Sequence, residues 1–328
     1  MLKNISMAFA VSLLFFWQVN SAEQSNTVQN NMELNSSSTN LPNDPVILYQ
    51  SMDWITDGVF TQGIEGPAVD KHGVLYVVNY QKEGTIGKVT AKGDSEIFLK
   101  LTNNSVGNGI RFDSDGNMYI ADYVNHNILK VSTINPEDNN KKQPIVTIYA
   151  HSSLMNQPND IAIMDNGVLF ASDPNWKKNT GNLWRINQEG KVVLLEKEMG
   201  TTNGIEVSPD NKTLYVNESV QGNIWKYQLS AEGHITNKTL LIHFEEHGLD
   251  GMRTDKQGNL YIARYGKGVI AIVSPHGKLL REVSLKGQFP TNVTFGGING
   301  KMVFVTLQKR GAIEVFTGEY AGRSFIGR

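Results

Sequence analysis

One local pattern recurs six times along this chain, and it limits the fold more than any other feature. Each copy opens with a residue bearing a side-chain oxygen, often followed by Gly. Short apolar residues, a polar turn and an apolar strand come next. The copies begin at Glu65 (EGPAVDKHGVLYVVN), Asn108 (NGIRFDSDGNMYIAD), Asn159 (NDIAIMDNGVLFASD), Asn203 (NGIEVSPDNKTLYVNE), Asp250 (DGMRTDKQGNLYIAR) and Asn292 (NVTFGGINGKMVFVT), 42 to 51 residues apart. A period in the forties built of short strands is the signature of a propeller blade.

Each copy reads as two antiparallel strands. In the second, Ile110 and Phe112 alternate with polar positions, Asp115-Gly116 makes the turn, and Met118 to Ala121 returns. Asp-Gly and Asn-Gly (Asn166-Gly167 in the third copy) predict two-residue type I′ hairpins, in which both central residues take φ > 0. A second hairpin follows each copy, for example Asn127 to Ser132 and then Pro144 to Ala150. The predicted fold is therefore all-β: a six-bladed β-propeller with four-stranded antiparallel blades. A strand from residues 46 to 60 is expected to complete the last blade. Such closure leaves no free sheet edge around the ring.

The two ends and the composition add bounds. Lys3 is followed by an apolar run from Met7 to Trp17, broken by Ser12, and then by small residues at Val19, Ser21 and Ala22. That layout reads as a signal peptide over 1–22, because the run falls short of the roughly 20 residues a spanning helix needs. Residues 23–45 are polar and read as a flexible linker, leaving 46–328 for the propeller. The expected location is periplasmic or secreted, with no embedding in the membrane once the signal is removed. The net charge is −2 and no basic stripe is visible, so nucleic acid is not expected as a partner. There is no cysteine, which excludes thiolate metal sites and cysteine nucleophiles and leaves stability to core burial.

In a propeller the innermost strands line the central channel, so the six opening residues share one height on the axis. They are two carboxylates and four amides. Converging oxygens repel one another unless a positive charge lies between them. A hard cation such as Ca²⁺ takes about 6–8 oxygen ligands, and two carboxylates balance its charge. Asn and Asp also serve simply as turn residues; six copies in register favour the cation.

The strings EGPAVD, ASDP, TNGIEVSPDNKTLYV, LDGM and PTNVTFGG, in that order, resemble the gluconolactonase / senescence-marker protein / luciferin-regenerating enzyme family. The resemblance runs from about 46 to 316. It implies one divalent cation, Ca²⁺ first, with Zn²⁺, Mg²⁺ or Mn²⁺ as alternatives. The implied metal ligands are Glu65, Asn159, Asn203 and Asp250, with Asp250 also the catalytic general base. Asn159 is also an implied substrate contact. From their places in the repeat rather than from the resemblance, Asn108 and Asn292 are assigned to substrate or water, and Asp173, on the connection leaving the third blade's inner hairpin, is assigned to substrate at the pocket entrance, with a plain turn residue as the alternative. The implied reaction is hydrolysis of a lactone, sugar-type favoured, on a small-molecule substrate. The alternative is a non-catalytic ligand- or protein-binding propeller with a structural cation. One departure bears on the substrate: where sugar lactonases of the family often carry Arg, this chain has Gln157. Arg264 and Arg111 are the candidate replacements for that cationic clamp.

Other signals lead elsewhere. His243-Phe-Glu-Glu-His247 matches a zinc-peptidase spacing, but it needs a helix and falls in a connection between blades. Asp113 to Asn117 lacks the Gly and Glu of a calcium loop and reads as a turn. No G-x-S-x-G elbow occurs, which disfavours a serine hydrolase. Sequons at Asn211 and Asn237 matter only in a glycosylating source.

Overall fold

The computed structural model describes residues 47–132 and 144–325. The expected signal peptide and linker lie outside the described residues. The described chain is all-β: six four-stranded antiparallel sheets, five of which take four consecutive strands in sequence order. The inner strands of blades 1 to 6 are Phe60–Val69, Gly107–Phe112, Ile161–Ile163, Thr202–Val207, Gly248–Thr254 and Pro290–Gly296. The sixth sheet is completed by Met52–Ile55, which pairs with the last strand, Ala312–Thr317, and closes the ring.

That closure is pinned by a buried carboxylate. Glu314 accepts hydrogen bonds from Ser51 Oγ (2.6 Å), Arg310 Nη1 (2.9 Å), Gly287 N (3.0 Å) and Lys286 N (3.0 Å). Its side chain is fully buried.

Packing follows from strand alternation. Residues pointing to either face of a blade meet the neighbouring blade, giving six apolar clusters, one at each blade-to-blade seam. Ile110, Ile120 and Val78 share the seam of blades 1 and 2, and Ile205, Leu214 and Phe170 that of blades 3 and 4.

The hairpin expectation needs correction. In the turns at Gly73, Gly116, Gly167 and Gly258 only the glycine has positive φ. Gly116 N donates to Asp113 O and Asp113 N to Asn117 O. This is a type I turn closed by a left-handed glycine, which has one residue more than the I′ form. Asp113 and Asp255 cap their own turns through side-chain bonds, as in Asn117 N to Asp113 Oδ1 (2.8 Å), and this favours the longer loop.

The far end of the axis is crossed by residues Gly322 to Phe325. Gly322 N donates to Gly300 O and Arg323 N to Thr254 O. The Arg323 guanidinium donates to Ile163 O, Asp165 Oδ1 and Asn211 Oδ1, each at 3.0 Å. A cavity of about 340 Å³ lies beside this arm, at the end of the inner strands opposite to Glu65 and Asp250.

Candidate functional site

The opening residues are aimed at the axis by local breaks in the strand ladder. The inner pairings shift register at Glu65, between Gly107 and Ile110, between Thr202 and Ile205, between Leu249 and Met252, and between Pro290 and Asn292. Each break contains or adjoins an opening residue. A bulge of this kind re-aims a side chain that regular alternation would send into a seam.

The recurrent Gly after the opening residue has a matching cause. A Cβ on Gly66 would lie 1.9 Å from Asn108 O, one on Gly204 2.4 Å from Asp250 O, and one on Gly251 1.9 Å from Asn292 Cγ. The missing side chain lets the opening residue of the next blade approach the axis. Blade 3 breaks this rule with Asp160, and its inner strand begins only at Ile161. Asn159 therefore sits on the approach to the strand, held by Asn159 N to Ser172 O (2.8 Å) and Gly109 N to Asn159 O (2.9 Å).

Glu65 lies close enough to Asp250 to raise it, and the Asn203 amide is near enough to Asp250 to favour its charged form. Both carboxyls are raised. Burial, and next the nearby Asp160 charge, push Glu65 up to about 7. Burial, and next Glu65 itself, push Asp250 well above its ordinary value. Two buried carboxylates this close need a proton or a cation between them. Two further oxygens fit the second case: Asn159 Oδ1 and Asn203 Oδ1 are buried and accept no hydrogen bond. A buried amide oxygen without a partner is costly, and coordination to a hard cation removes that cost. Among the described residues no three His, Asp or Glu side chains form a metal cluster. The donor set is two carboxylates and two amides, suited to an oxygen-seeking ion.

The other assigned residues divide. Asn108 Nδ2 donates to Asn159 O (3.1 Å), so Asn108 braces Asn159 while remaining half-buried. Asn292 Oδ1 accepts from its neighbour Val293 N (2.9 Å), which turns Nδ2 toward Glu65 Oε2 (3.0 Å). Asn292 is thus a donor to a carboxylate in this ring. The expectation for Asp173 is corrected: it is fully buried inside a strand and faces no entrance. Its carboxylate accepts from Gln157 N (2.6 Å), Asn156 N (2.7 Å), Trp184 Nε1 (2.8 Å) and the Asn182 and Asn156 amides (3.2 Å each). It ties down the segment that leads into Asn159.

The two arginines offered as replacement clamps are also committed elsewhere. Arg264 packs over Phe244, with Cζ 3.9 Å from the ring centre, and donates to Glu246 O. Arg111 is buried on the axis and ion-pairs with Asp160 at 3.1 Å. Sequence reasoning missed the tier this pair belongs to. Three residues after the opening position stand Arg111, Glu206 and Arg253 in blades 2, 4 and 5; that shared offset was the available signal.

Residues 64–309 match the family described as SMP-30/Gluconolactonase/LRE-like region. The chain belongs to this family. Its similarity to a gluconolactonase of Zymomonas mobilis is 28% identity over 278 residues, covering 75% of this chain and 76% of that one. It is 24% identical over 291 residues to the diisopropyl-fluorophosphatase of Loligo vulgaris, covering 80% and 90%. Among solved structures, a calcium-binding protein, regucalcin, from Agrobacterium tumefaciens superposes with a TM-score of 0.69 at 21% identity, covering 84% of this chain and 95% of that one. That last likeness carries the fold. Family membership accounts for the propeller and places the chain among lactonase-type propellers. No helix among the described residues is long and apolar enough to cross a membrane.

Proposed function

We propose that this chain is an exported, divalent-cation-dependent hydrolase that opens a lactone ring, with calcium as the cation and a sugar-type lactone as substrate. One observation carries the reading: two buried amide oxygens without partners, Asn159 Oδ1 and Asn203 Oδ1, belong to the same axial ring as the raised carboxyl pair of Glu65 and Asp250. Glu65, Asn159, Asn203 and Asp250 would hold the ion. A bound divalent cation supplies Lewis-acid polarisation of an ester carbonyl and charge for the developing oxyanion. The similarity to a gluconolactonase supports the lactone. Export rests on the residues of 1–22.

The chain's own residues supply the proton steps. Asp250 takes a proton from the attacking water as its oxygen bonds to the lactone carbonyl carbon. The same proton passes to the ring oxygen as the C–O bond breaks, which yields the hydroxy acid. The Asn203 amide beside Asp250 favours the ionised form of that carboxylate, which is the form a base needs. General-base assistance of this kind contributes about 10²–10⁴-fold.

The commitment of Arg111 and Arg264 to other partners favours a second reading, a binding propeller with a structural cation, because no clamp for sugar hydroxyls comes from either. Hydrolysis of gluconolactone, an aliphatic lactone and an acyl-homoserine lactone, with and without chelator, decides between them. The hydrolase reading expects turnover abolished by chelator and lowered at least about 100-fold in Asp250→Ala. Turnover that survives the chelator overturns the cation's role. Binding of calcium with no turnover of any lactone leaves the binding module.

A further inference from the structure

Asp160 takes the place that glycine holds in blades 1, 2, 4 and 5, and its side chain is fully buried on the axis. An unbraced carboxylate there would be costly. It is braced from both sides. Arg111 Nη1 donates to Asp160 Oδ1 and Arg253 Nη1 to Asp160 Oδ2, both at 3.1 Å. These arginines come from blades 2 and 5, which face each other across a six-bladed ring. Asp160 also meets Asn292 of blade 6, the blade opposite its own. Asn292 Nδ2 lies 3.5 Å from Asp160 Oδ2 and 3.0 Å from Glu65 Oε2. Gly66 N donates to the same Glu65 oxygen at 2.6 Å.

The Asn292 amide has no freedom to choose. Its Oδ1 is engaged by Val293 N, so its Nδ2 must face the two carboxylates. Asp160 draws that N–H₂ group toward the axis, and the group in turn fixes one Glu65 oxygen. The chain Arg111/Arg253–Asp160–Asn292–Glu65 spans blades 2, 5, 3, 6 and 1. Blades closed around a charged centre resist a change in channel width, because widening would separate buried opposite charges.

We infer that Asp160 is a positioning residue that, through Asn292, sets where Glu65 stands and so fixes the radius of the cation site. The inference rests on the cation reading given above. It has a consequence that a general stabilising role lacks. Calcium and magnesium are told apart by cavity size and ligand rigidity, with oxygen distances of about 2.3–2.6 Å against about 2.0–2.1 Å. A Glu65 released from Asn292 can move inward, so the site loses its preference for the larger ion.

The test is calorimetric titration of metal-stripped full-length protein with CaCl₂ and, separately, MgCl₂. Asp160→Asn removes the charge but leaves two buried guanidiniums with less compensation and can fail to fold. Asn292→Ala removes only the bridge and keeps the arginine clamp, so it decides if the first variant does not fold; near-UV circular dichroism reports the fold. The expected result is a fall in calcium affinity of at least tenfold, with a Kd ratio for magnesium over calcium at least fivefold smaller than in the wild type. Folded Asn292→Ala with wild-type values for both ions overturns the inference. An equal weakening for both ions also overturns it, since that is loss of stability without loss of size selection. A wild type that binds neither ion sinks the cation reading itself, a result distinct from either.

Discussion

Glu65 and Asp250 reach the same point on the axis from blades that are not neighbours: blade 6 lies between them, and its Asn292 donates to Glu65 Oε2 at 3.0 Å. The pair is therefore a product of ring closure. Neither strand alone brings the carboxyls together.

This pair should make the metal-free protein sensitive to pH. Glu65 is raised from 4.5 to about 7 by burial, so the folded state holds a proton that the unfolded state has released across that window. Stability present at low pH is lost as pH rises through about 7. Chelated protein should melt at progressively lower temperature from pH 5 to pH 7.5. Saturating calcium should abolish that slope, because the ion replaces the proton. A chelated protein whose melting temperature does not fall over this range would contradict the raised pair.

Gly251→Ala should be severe for its size. The new Cβ would sit 1.9 Å from Asn292 Cγ, in a seam where Asn292 is held at both ends of its amide. Overpacking of this kind costs about 1–3 kcal/mol. Urea unfolding should show the loss, and calcium affinity should fall with it because Asn292 is displaced from Glu65.

Ring closure should depend on Glu314 and hardly at all on surface ion pairs. Glu314→Ala leaves Ser51 Oγ and the amides of Lys286 and Gly287 without their acceptor, and Arg310 with only Asp53 and Asp57. Stranding buried donors of this kind costs about 1–3 kcal/mol. Glu96→Ala, which removes the exposed pair with Lys88 at 2.8 Å, should leave stability almost unchanged, because solvent screens that pair. Equal effects in chemical denaturation would refute the contrast.

Asp173→Asn tests the anchor of the Asn159 segment. The substitution replaces one acceptor oxygen with a donor facing Gln157 N, Asn156 N or Trp184 Nε1. A buried donor left unmatched costs about 1–3 kcal/mol. Calcium affinity should weaken severalfold, since Asn159 loses its support. Unchanged affinity in a stably folded variant would make Asp173 a fold residue only.

Much of this was legible in the sequence because propeller repeats print one structural position many times. Glu65, Asn203 and Asp250 could be aligned by offset alone, and the closing strand followed from the unpaired stretch before the first copy. What escaped shows where such reading stops. Asp173 looked like an entrance residue because it follows the third blade's inner hairpin and reads as part of a connection, yet its strand continues to Asn175 and five donors surround it. Arg111 was offered as a substrate clamp because one strand gives no sign of what stands across the axis. Its partner Asp160 lies 49 residues away, and Arg253 lies 93 residues beyond Asp160. The turn type was misjudged because a dipeptide fixes the glycine's φ but not the loop length, which the Asp side chains decide.

The arm carrying Arg323 across the far end has a consequence for traffic. Asp160, Arg111 and Arg253 fill the axis midway, and the arm covers the end beyond them. The axis is therefore plugged at mid-height by buried charged side chains. On the reading proposed above, whatever reacts at Asp250 cannot pass through that plug and leaves by the rim at its own end, so departing product and arriving substrate share one doorway. In a molecule built this way, the crowding of that doorway can govern turnover as much as the chemistry beneath it.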